Sequence, residues 1–380
     1  MTGDVTQVRK TAEALAAEGI DVRFSDSLAP DAADVDVVHL FSTLQPHSTY
    51  LRLLHLHAKG VPTVVSTIYW AWEPDEQRAE SIFRLGRTGH YVSLAVDAVR
   101  RRLPDPLRYR LERPPHPYDL QARFYALERQ IAPDAMRRYI YEHAGVLLPN
   151  SHVEYDYLAK RFGISNDYVA VPNAVDPAFA GGDREAFRRK FGLADFVLCC
   201  AVVQGRKNQR RLIETANALA LPLVLVGSEE ARYGRLCREI AGPTVHFLGE
   251  LRGDDLRNAY AAARTHALVS FYETPGLASL EAVLAGATIV ATDRGSPREY
   301  FGDSAFYCQP TDLGSIKAAL SAAYAAKPDP ALKQRVLSDY SWARTAAATI
   351  EGYRRAIEKQ RRRRAAPSAA GAASALERRS

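Results

Sequence analysis

The sequence predicts an α/β protein built from two similar Rossmann-like domains that face each other across a cleft. Three observations carry this expectation. At 380 residues the chain is long for one hydrophobic core and comfortable for two. Short apolar runs alternate with helical patterns through both halves, which is the grammar of parallel sheets with right-handed crossovers. Between the halves, Pro172, Pro177, Gly181 and Gly182 punctuate the chain and set a domain boundary near residues 173–182.

In the first domain, taken as residues 1–175, Val8, Ala12 and Leu15 fall at helical spacing over 6–17, and Gly19 stops the helix. Apolar runs at 35–40 and 61–68 read as strands, separated by a helix over 51–59. Residues 73–143 break the rhythm with charged, helix-prone segments and a proline-containing connection, and are read as an elaboration of this domain. Strands follow at 145–148 and 168–171, with a helix between them at 153–161.

The second domain, 176–340, is more regular. Residues 196–203, 223–226, 245–248, 267–270, 288–290 and 305–307 read as strands with helices in most gaps, hence a doubly wound sheet. After Pro328 only helices are expected, the longest at 341–360, and residues 363–380 turn to Ala, Ser, Pro and Gly and read as a disordered tail.

Hydrophobic residues at 47% and charged residues at 25% are the usage of a globular chain, neither disordered nor fibrous. Nine of the 50 basic residues lie in 354–380 against two glutamates, so the net charge of +6 belongs to the carboxy-terminal end and the body is close to neutral. The cluster of Arg354, Arg355, Lys359 and Arg361–Arg364 suits either an anionic membrane surface or a solvated helix end favoured by the last backbone carbonyls. A neutral body without a basic stripe argues against specific nucleic-acid binding. Cys199, Cys200, Cys237 and Cys308 lie near predicted strands without CxxC spacing, which fits reduced structural thiols of a cytoplasmic protein. Neither a secretory leader nor an apolar stretch of spanning length is expected.

Four segments carry a resemblance. FYETPGLASLEAVLAGATIV over 271–290 holds Glu273 and Glu281 with seven residues between them, GRKNQRRLIETA surrounds Lys207, PNAVD spans 172–176, and DRGSPREYFGDSAFY begins at Asp293. In order and spacing they resemble glycosyltransferase family 4, retaining enzymes of the GT-B fold that use nucleotide sugars. The resemblance spans about 1–360 and is strongest from Pro172 to Leu320. It implies a nucleotide diphosphate sugar as donor substrate, no obligatory metal and no other cofactor. It further implies that the helix at 341–362 crosses back to the first domain.

The chemistry agrees at this spacing. Gly276 precedes a helical run, so a pyrophosphate can approach the amides of Leu277 and Ala278, which lack intrahelical acceptors. Glu281, further along that helix, is positioned to accept from ribose hydroxyls, the role the resemblance also assigns. The resemblance puts Glu273 toward the donor sugar, as electrostatic support rather than a covalent nucleophile. Lys207 follows a predicted strand and is suited to charge developing on the leaving diphosphate. Adjacent Arg206 offers a second cation, though neighbouring positions leave a turn in different directions, and Arg210 and Arg211 read as a surface run. Alone, the two glutamates also suit solvent-facing positions at a helix start.

The chain departs from the family pattern at Val202, where an arginine is common, and at Pro275, Ala278 and Arg298. Thr2–Asp4 resemble the family's glycine loop without the strand that usually precedes it, with Gly3 as the phosphate-approaching glycine, so either the first domain lacks that strand or the sequence begins downstream of it. No residue matches the family's first-domain histidine; His39, His47, Tyr69, Trp70 and Trp72 are candidates for contact with sugar or acceptor. The resulting expectation is a hexosyltransferase acting on a glycan or lipid-linked acceptor in cell-surface polysaccharide synthesis, cytoplasmic and peripheral at the inner face of the membrane. The alternative is a catalytically weak or inactive nucleotide-sugar-binding scaffold. A phosphorylase would need a pyridoxal phosphate lysine context that is not evident.

Overall fold

The computed structural model describes residues 3–74, 77, 78, 127, 130–274 and 276–365. The chain divides into two compact units, one made of Met1–Tyr69, Phe124–Pro172 and Ala343–Ser380, the other of Trp70–Arg123 and Asn173–Trp342.

The first unit opens with α1 (Gly3–Ala17). Three parallel strands follow in the order β1 (Val38–Phe41), β2 (Thr63–Ser66) and β3 (Val146–Leu147). Helix α2 (Pro46–Ala58) joins β1 to β2 and starts earlier than expected, because Pro46 occupies the first turn, where a missing N–H costs nothing. Helix α3 (Pro133–His143) precedes β3 and α4 (His152–Phe162) follows it. The expected strand at 168–171 is reduced to one parallel bridge, Leu147 to Tyr168. Most of the elaboration at 73–143 lies outside the described residues, as do Thr2 and Pro275.

At the carboxyl ends of β2 and β3 a buried carboxylate ties the sheet together. Ser151 caps α4 by accepting from the Glu154 N–H, while Glu154 reaches back to accept from Asn150 N at 2.7 Å, a variant of the reciprocal capping box. Its other oxygen accepts from Thr67 Oγ1 at 2.6 Å and Tyr69 N at 3.0 Å.

The second unit contains α5 (Arg184–Phe191), β4 (Phe196–Cys200), α6 (Gln209–Leu219), β5 (Leu223–Val226), α7 (Ala231–Glu239), β6 (Val245–Gly249), α8 (Gly253–Ala262) and β7 (Ala263–Leu268). It continues with α9 (Leu277–Ala285), β8 (Thr288–Thr292), α10 (Pro297–Phe301), β9 (Phe306–Cys308), α11 (Leu313–Ala325) and α12 (Pro330–Asp339). Its six strands are all parallel in the order β6-β5-β4-β7-β8-β9. Alternate residues of each strand feed two cores: Phe196, Leu198, Val224 and Val226 on one face, Val197, Cys199, Leu223 and Leu225 on the other. Both faces being buried explains why these strands read as continuous apolar runs. Cys199, Cys200 and Cys308 lie on strands as expected, whereas Cys237 lies on α7; all four are free thiols.

Helix α13 (Trp342–Ala365) runs beyond the expected end at residue 362, so Arg363 and Arg364 are helical rather than part of a tail. It packs in the first unit, where Ala356 joins Val64, Val146, Leu148 and Val171. Several of its polar groups are docked: Lys359 donates to Gly145 O and Asn166 Oδ1, both at 2.8 Å, and Gln360 and Arg364 donate to Gly60 O. Among the described residues no helix is long and apolar enough to cross a membrane.

Candidate active site

In the second unit the strand order reverses direction between β4 and β7: the chain moves outward through β5 and β6, then returns to the other side of β4. Open parallel sheets bind ligands at such a switch point, outside the carboxyl ends of the strands. The segments after those two strands carry Lys207 and Glu273.

After β4 the chain makes a short 3-10 turn at Gly205–Lys207 and passes through Asn208 in the left-handed region, φ 57°. Asparagine tolerates that conformation. The buried Asn208 amide donates to Val269 O at 3.0 Å and Pro310 O at 2.9 Å, so the turn is anchored to the loop after β7 and to the loop after β9. The Arg206 carbonyl accepts from Phe271 N at 3.0 Å and fixes the two loops side by side.

This brings the Lys207 ammonium to 2.6 Å from Glu273 Oε1, with Arg206 Nη1 at 3.8 Å from the same oxygen. The two neighbouring cations therefore converge, contrary to the expectation that Arg206 would point elsewhere, because a 3-10 turn is tight enough to carry both side chains to one carboxylate. Arg206 also donates to Tyr272 O at 3.0 Å and lies 5.1 Å from the Tyr272 ring. Glu273 is only 5% exposed, so it is no surface glutamate. Burial opposes its ionisation, but Lys207 and Arg206 outweigh that penalty and hold its carboxyl below the usual range.

The backbone of Glu273 is fixed as tightly as its side chain. It bridges Gly295 in the loop after β8, with Glu273 N donating to Arg294 O at 3.3 Å and Ser296 N donating to Glu273 O at 3.0 Å. Gly295 has φ +97°, and a Cβ there would lie 2.0 Å from Glu273 O, which only glycine avoids. Trp72 packs against this loop, its ring 5.2 Å from Phe271 and 6.5 Å from Tyr272.

Gly276, at φ +93°, turns the chain into α9, whose first two residues are Leu277 and Ala278. No side chain caps this end, and the Ser279 N–H is taken by Gly276 O at 2.9 Å. The amides of Leu277 and Ala278 are thus the donors available to an anion, as the glycine-first pattern predicts. Glu281 follows one turn on. Its Oε2 accepts from the Tyr260 hydroxyl at 2.5 Å, and burial raises its carboxyl to about 7 against the opposing effect of that hydrogen bond.

Arg210 pairs with Glu214 at 2.8 Å and Arg211 donates to Thr311 O at 2.7 Å, so both serve the fold. Val202 is 38% exposed and only its carbonyl, accepting from Gln209, is engaged. The PNAVD segment packs onto the same site: Asn173 N donates to the Tyr300 hydroxyl at 2.9 Å and its amide to Thr274 O at 3.2 Å.

Gly3 lies in the first unit as the first residue of α1, so it opens a helix rather than a loop. Also in that unit, His39 has both ring nitrogens engaged, by Tyr353 Oη at 3.0 Å and Ser66 Oγ at 2.8 Å, and burial pushes its pKa down to about 3. Tyr69, Trp70 and His47 are buried. Sequence reasoning missed Tyr260, Asn208, Gly295 and Glu154. Only Glu154 carried a local signal, the Ser151-x-x-Glu154 box.

Residues 194–326 match the family profile described as Glycosyl transferases group 1, a span that contains Arg206, Lys207, Glu273, Gly276 and Glu281. The chain is 31% identical over 142 residues to an O-antigen chain mannosyltransferase B of Escherichia coli, covering 34% of this chain and 37% of that protein. It is 27% identical over 250 residues to a D-inositol 3-phosphate glycosyltransferase of Mycolicibacterium smegmatis, covering 60% of this chain and 57% of that one. These matches span from about a third to somewhat over half of the curated relatives' own length. Among solved structures, a sucrose-phosphate synthase of Thermosynechococcus elongatus superposes with a TM-score of 0.55 at 18% identity, over 84% of this chain and 98% of that chain. With two parallel α/β units, that likeness assigns the GT-B fold class.

Proposed function

We propose that the protein is a retaining glycosyltransferase that moves a hexose from a nucleotide diphosphate sugar to a hydroxyl of a glycan or lipid-linked acceptor, in cell-surface polysaccharide synthesis. The observation that carries the reading is the buried Lys207–Glu273 pair at the switch point, beside the uncapped start of α9. The profile match over this segment supports glycosyl transfer, and the mannosyltransferase name of the Escherichia coli relative supports a hexose.

In this reading the amides of Leu277 and Ala278 and the cations of Arg206 and Lys207 receive the diphosphate, and ionised Glu281 accepts from the ribose. When the bond from the sugar C1 to the diphosphate breaks, the electron pair goes to the leaving phosphate oxygen, where Lys207 stabilises it. The acceptor oxygen bonds to C1 on the same face and its proton passes to the departing phosphate. Glu273 steadies positive charge on the sugar and forms no covalent bond. The cations supply the charge stabilisation that a metal gives elsewhere. We further propose that the enzyme works in the cytoplasm, held at the inner membrane face by the basic end of α13.

A scaffold that binds the nucleotide sugar without turnover is the second reading, favoured by exposed Val202 where a cation would assist the diphosphate. A panel of nucleotide sugars, assayed by mass spectrometry for hydrolysis and for transfer to glycan and lipid-linked acceptors, separates the two. The expected result is an acceptor heavier by one hexose with one donor. Saturable donor binding without transfer or hydrolysis across the panel would sink the enzyme reading.

A further inference from the structure

A cavity of about 270 Å³ opens in the first unit where the last turns of α2 and α3 meet α13. It sits at the amino-terminal edge of the first sheet, beside Thr63 at the start of β2 and Gly145 just before β3. The candidate active site belongs to the second unit and shares no residue with it.

The walls carry basic side chains. His57 comes from α2, His143 from α3, and Lys359 and Arg363 from α13, and no carboxylate is among the residues that line the cavity. Three of them retain hydrogen-bonding capacity. His143 is held by stacking on Tyr139, ring centroids 4.0 Å apart, and its Nδ1 lies 2.9 Å from Tyr139 O, a contact that places a proton on Nδ1, so that Nε2 becomes the donor to an anion once the ring takes up a second proton. Lys359 spends two of its three N–H groups on Gly145 O and Asn166 Oδ1. The Arg363 side chain is exposed and makes no hydrogen bond or ion pair with any described residue. The carbonyl of Gly60, a competing acceptor in the wall, is already occupied by Gln360 and Arg364.

The two imidazoles lie 6.2 Å apart. Burial, His143 and Arg363 all disfavour the charged form of His57, while a hydrogen bond to the His143 backbone favours it. Lys359 is held below its usual range by burial and by Arg363, opposed by Asp167. An anion among these groups would reverse the repulsion. A phosphate presents more acceptor oxygens than a carboxylate and suits donors arriving from three helices, and an arginine fork matches it well. The volume is small for a nucleotide and fits a phosphate on a short alcohol.

We propose that this cavity is a phosphate-binding site, separate from the nucleotide-sugar site, that takes a phosphate monoester carried on a lipid headgroup or on a small soluble ester.

The test titrates inorganic phosphate into full-length protein labelled at histidine, at low and constant ionic strength, and follows the His57 and His143 ring resonances. Phosphate is expected to shift both and to raise the pKa of His57. Arg363→Gln, which removes an unpaired exposed side chain, is expected to weaken phosphate binding by about tenfold, roughly the value of one charge-assisted contact. Arg362→Gln removes the same charge from the same helix and is expected to leave binding unchanged, since Arg362 faces Glu358 at 3.7 Å and does not line the cavity. Equal weakening in both variants, or no ring shift in the intact protein, overturns the site. Phosphatidylcholine vesicles with and without phosphatidic acid then identify the source. Retention by phosphatidic acid that free phosphate displaces and Arg363→Gln abolishes assigns the lipid headgroup. Binding of glycerol 3-phosphate without vesicle retention assigns the soluble ester.

Discussion

Lys207 and Glu273 are separated by 66 residues of sequence, yet their charged atoms meet at 2.6 Å inside the second unit. Each arrives on a loop after one of the two strands that flank the switch point, so their pairing reports directly on the sheet order.

Removing Lys207 leaves the buried Glu273 carboxylate with Arg206 alone, 3.8 Å away, for compensation. Lys207→Met should destabilise the protein by about 3–5 kcal/mol, read from urea unfolding, whereas replacing both residues with apolar ones should cost less than the sum of the two single changes. Additive losses would mean that the pair is not energetically coupled.

Glu273→Gln keeps the side-chain shape and removes its charge. Transfer rate is expected to fall far more than affinity for the nucleotide diphosphate, since the charge acts on the reacting sugar. Proportionate losses in rate and affinity would place Glu273 against the nucleotide instead.

Glu281 links donor binding to pH. With its carboxyl raised to about 7, it is protonated below neutrality and accepts poorly from ribose, so nucleotide affinity should fall as pH drops through about 7, with a flat profile in Glu281→Gln. Glu281→Ala should cost about 2–5 kcal/mol of nucleotide binding by calorimetry at pH 8. The sign for stability is opposite. The folded state keeps a proton that the unfolded chain releases near 4.5, so the Glu281 contribution to unfolding free energy should decrease as pH rises from about 4.5 to about 7.

Gly295→Ala introduces a Cβ where Glu273 O already lies, at a positive φ. A stability loss of at least about 1–3 kcal/mol is expected, with transfer activity falling further than stability alone explains because the Glu273 backbone must shift. Wild-type activity in this variant would show that the position of Glu273 is not critical.

Transfer should persist in EDTA, since amides and two cations meet the diphosphate. Complete loss restored by magnesium or manganese would transfer the charge-stabilising role from Lys207 and Arg206 to an ion.

Much of the fold was legible because both faces of the second sheet are buried, which makes each strand a short apolar run bounded by turns. All six of its strands were found, with ends shifted by a few residues. The first unit was less legible: residues 168–171 look like a strand yet make only one bridge, because Val169 and Val171 donate to Leu147 O and Pro149 O but Pro149 has no N–H with which to continue the ladder. Lys207, Gly276, Glu273 and Glu281 were visible through motif spacing. The partners that set their chemistry were not. Tyr260 reaches Glu281 from another helix, and the anchoring of Asn208 by Val269 and Pro310 depends on strand order, which local periodicity does not encode.

The first unit is assembled from three separate stretches of chain, and Ala356 of α13 closes its core against Val64 and Val146. On the ribosome this gives the two units different timetables. Residues 173–342 emerge as one stretch that contains the whole six-stranded sheet, so the second unit can mature during translation, whereas the first must wait as an unfinished hydrophobic surface until the codons of α13 are read. Chains stalled before residue 342 should therefore show protease resistance in the second unit alone, and early termination within α13 should send an otherwise intact sequence to the degradation machinery.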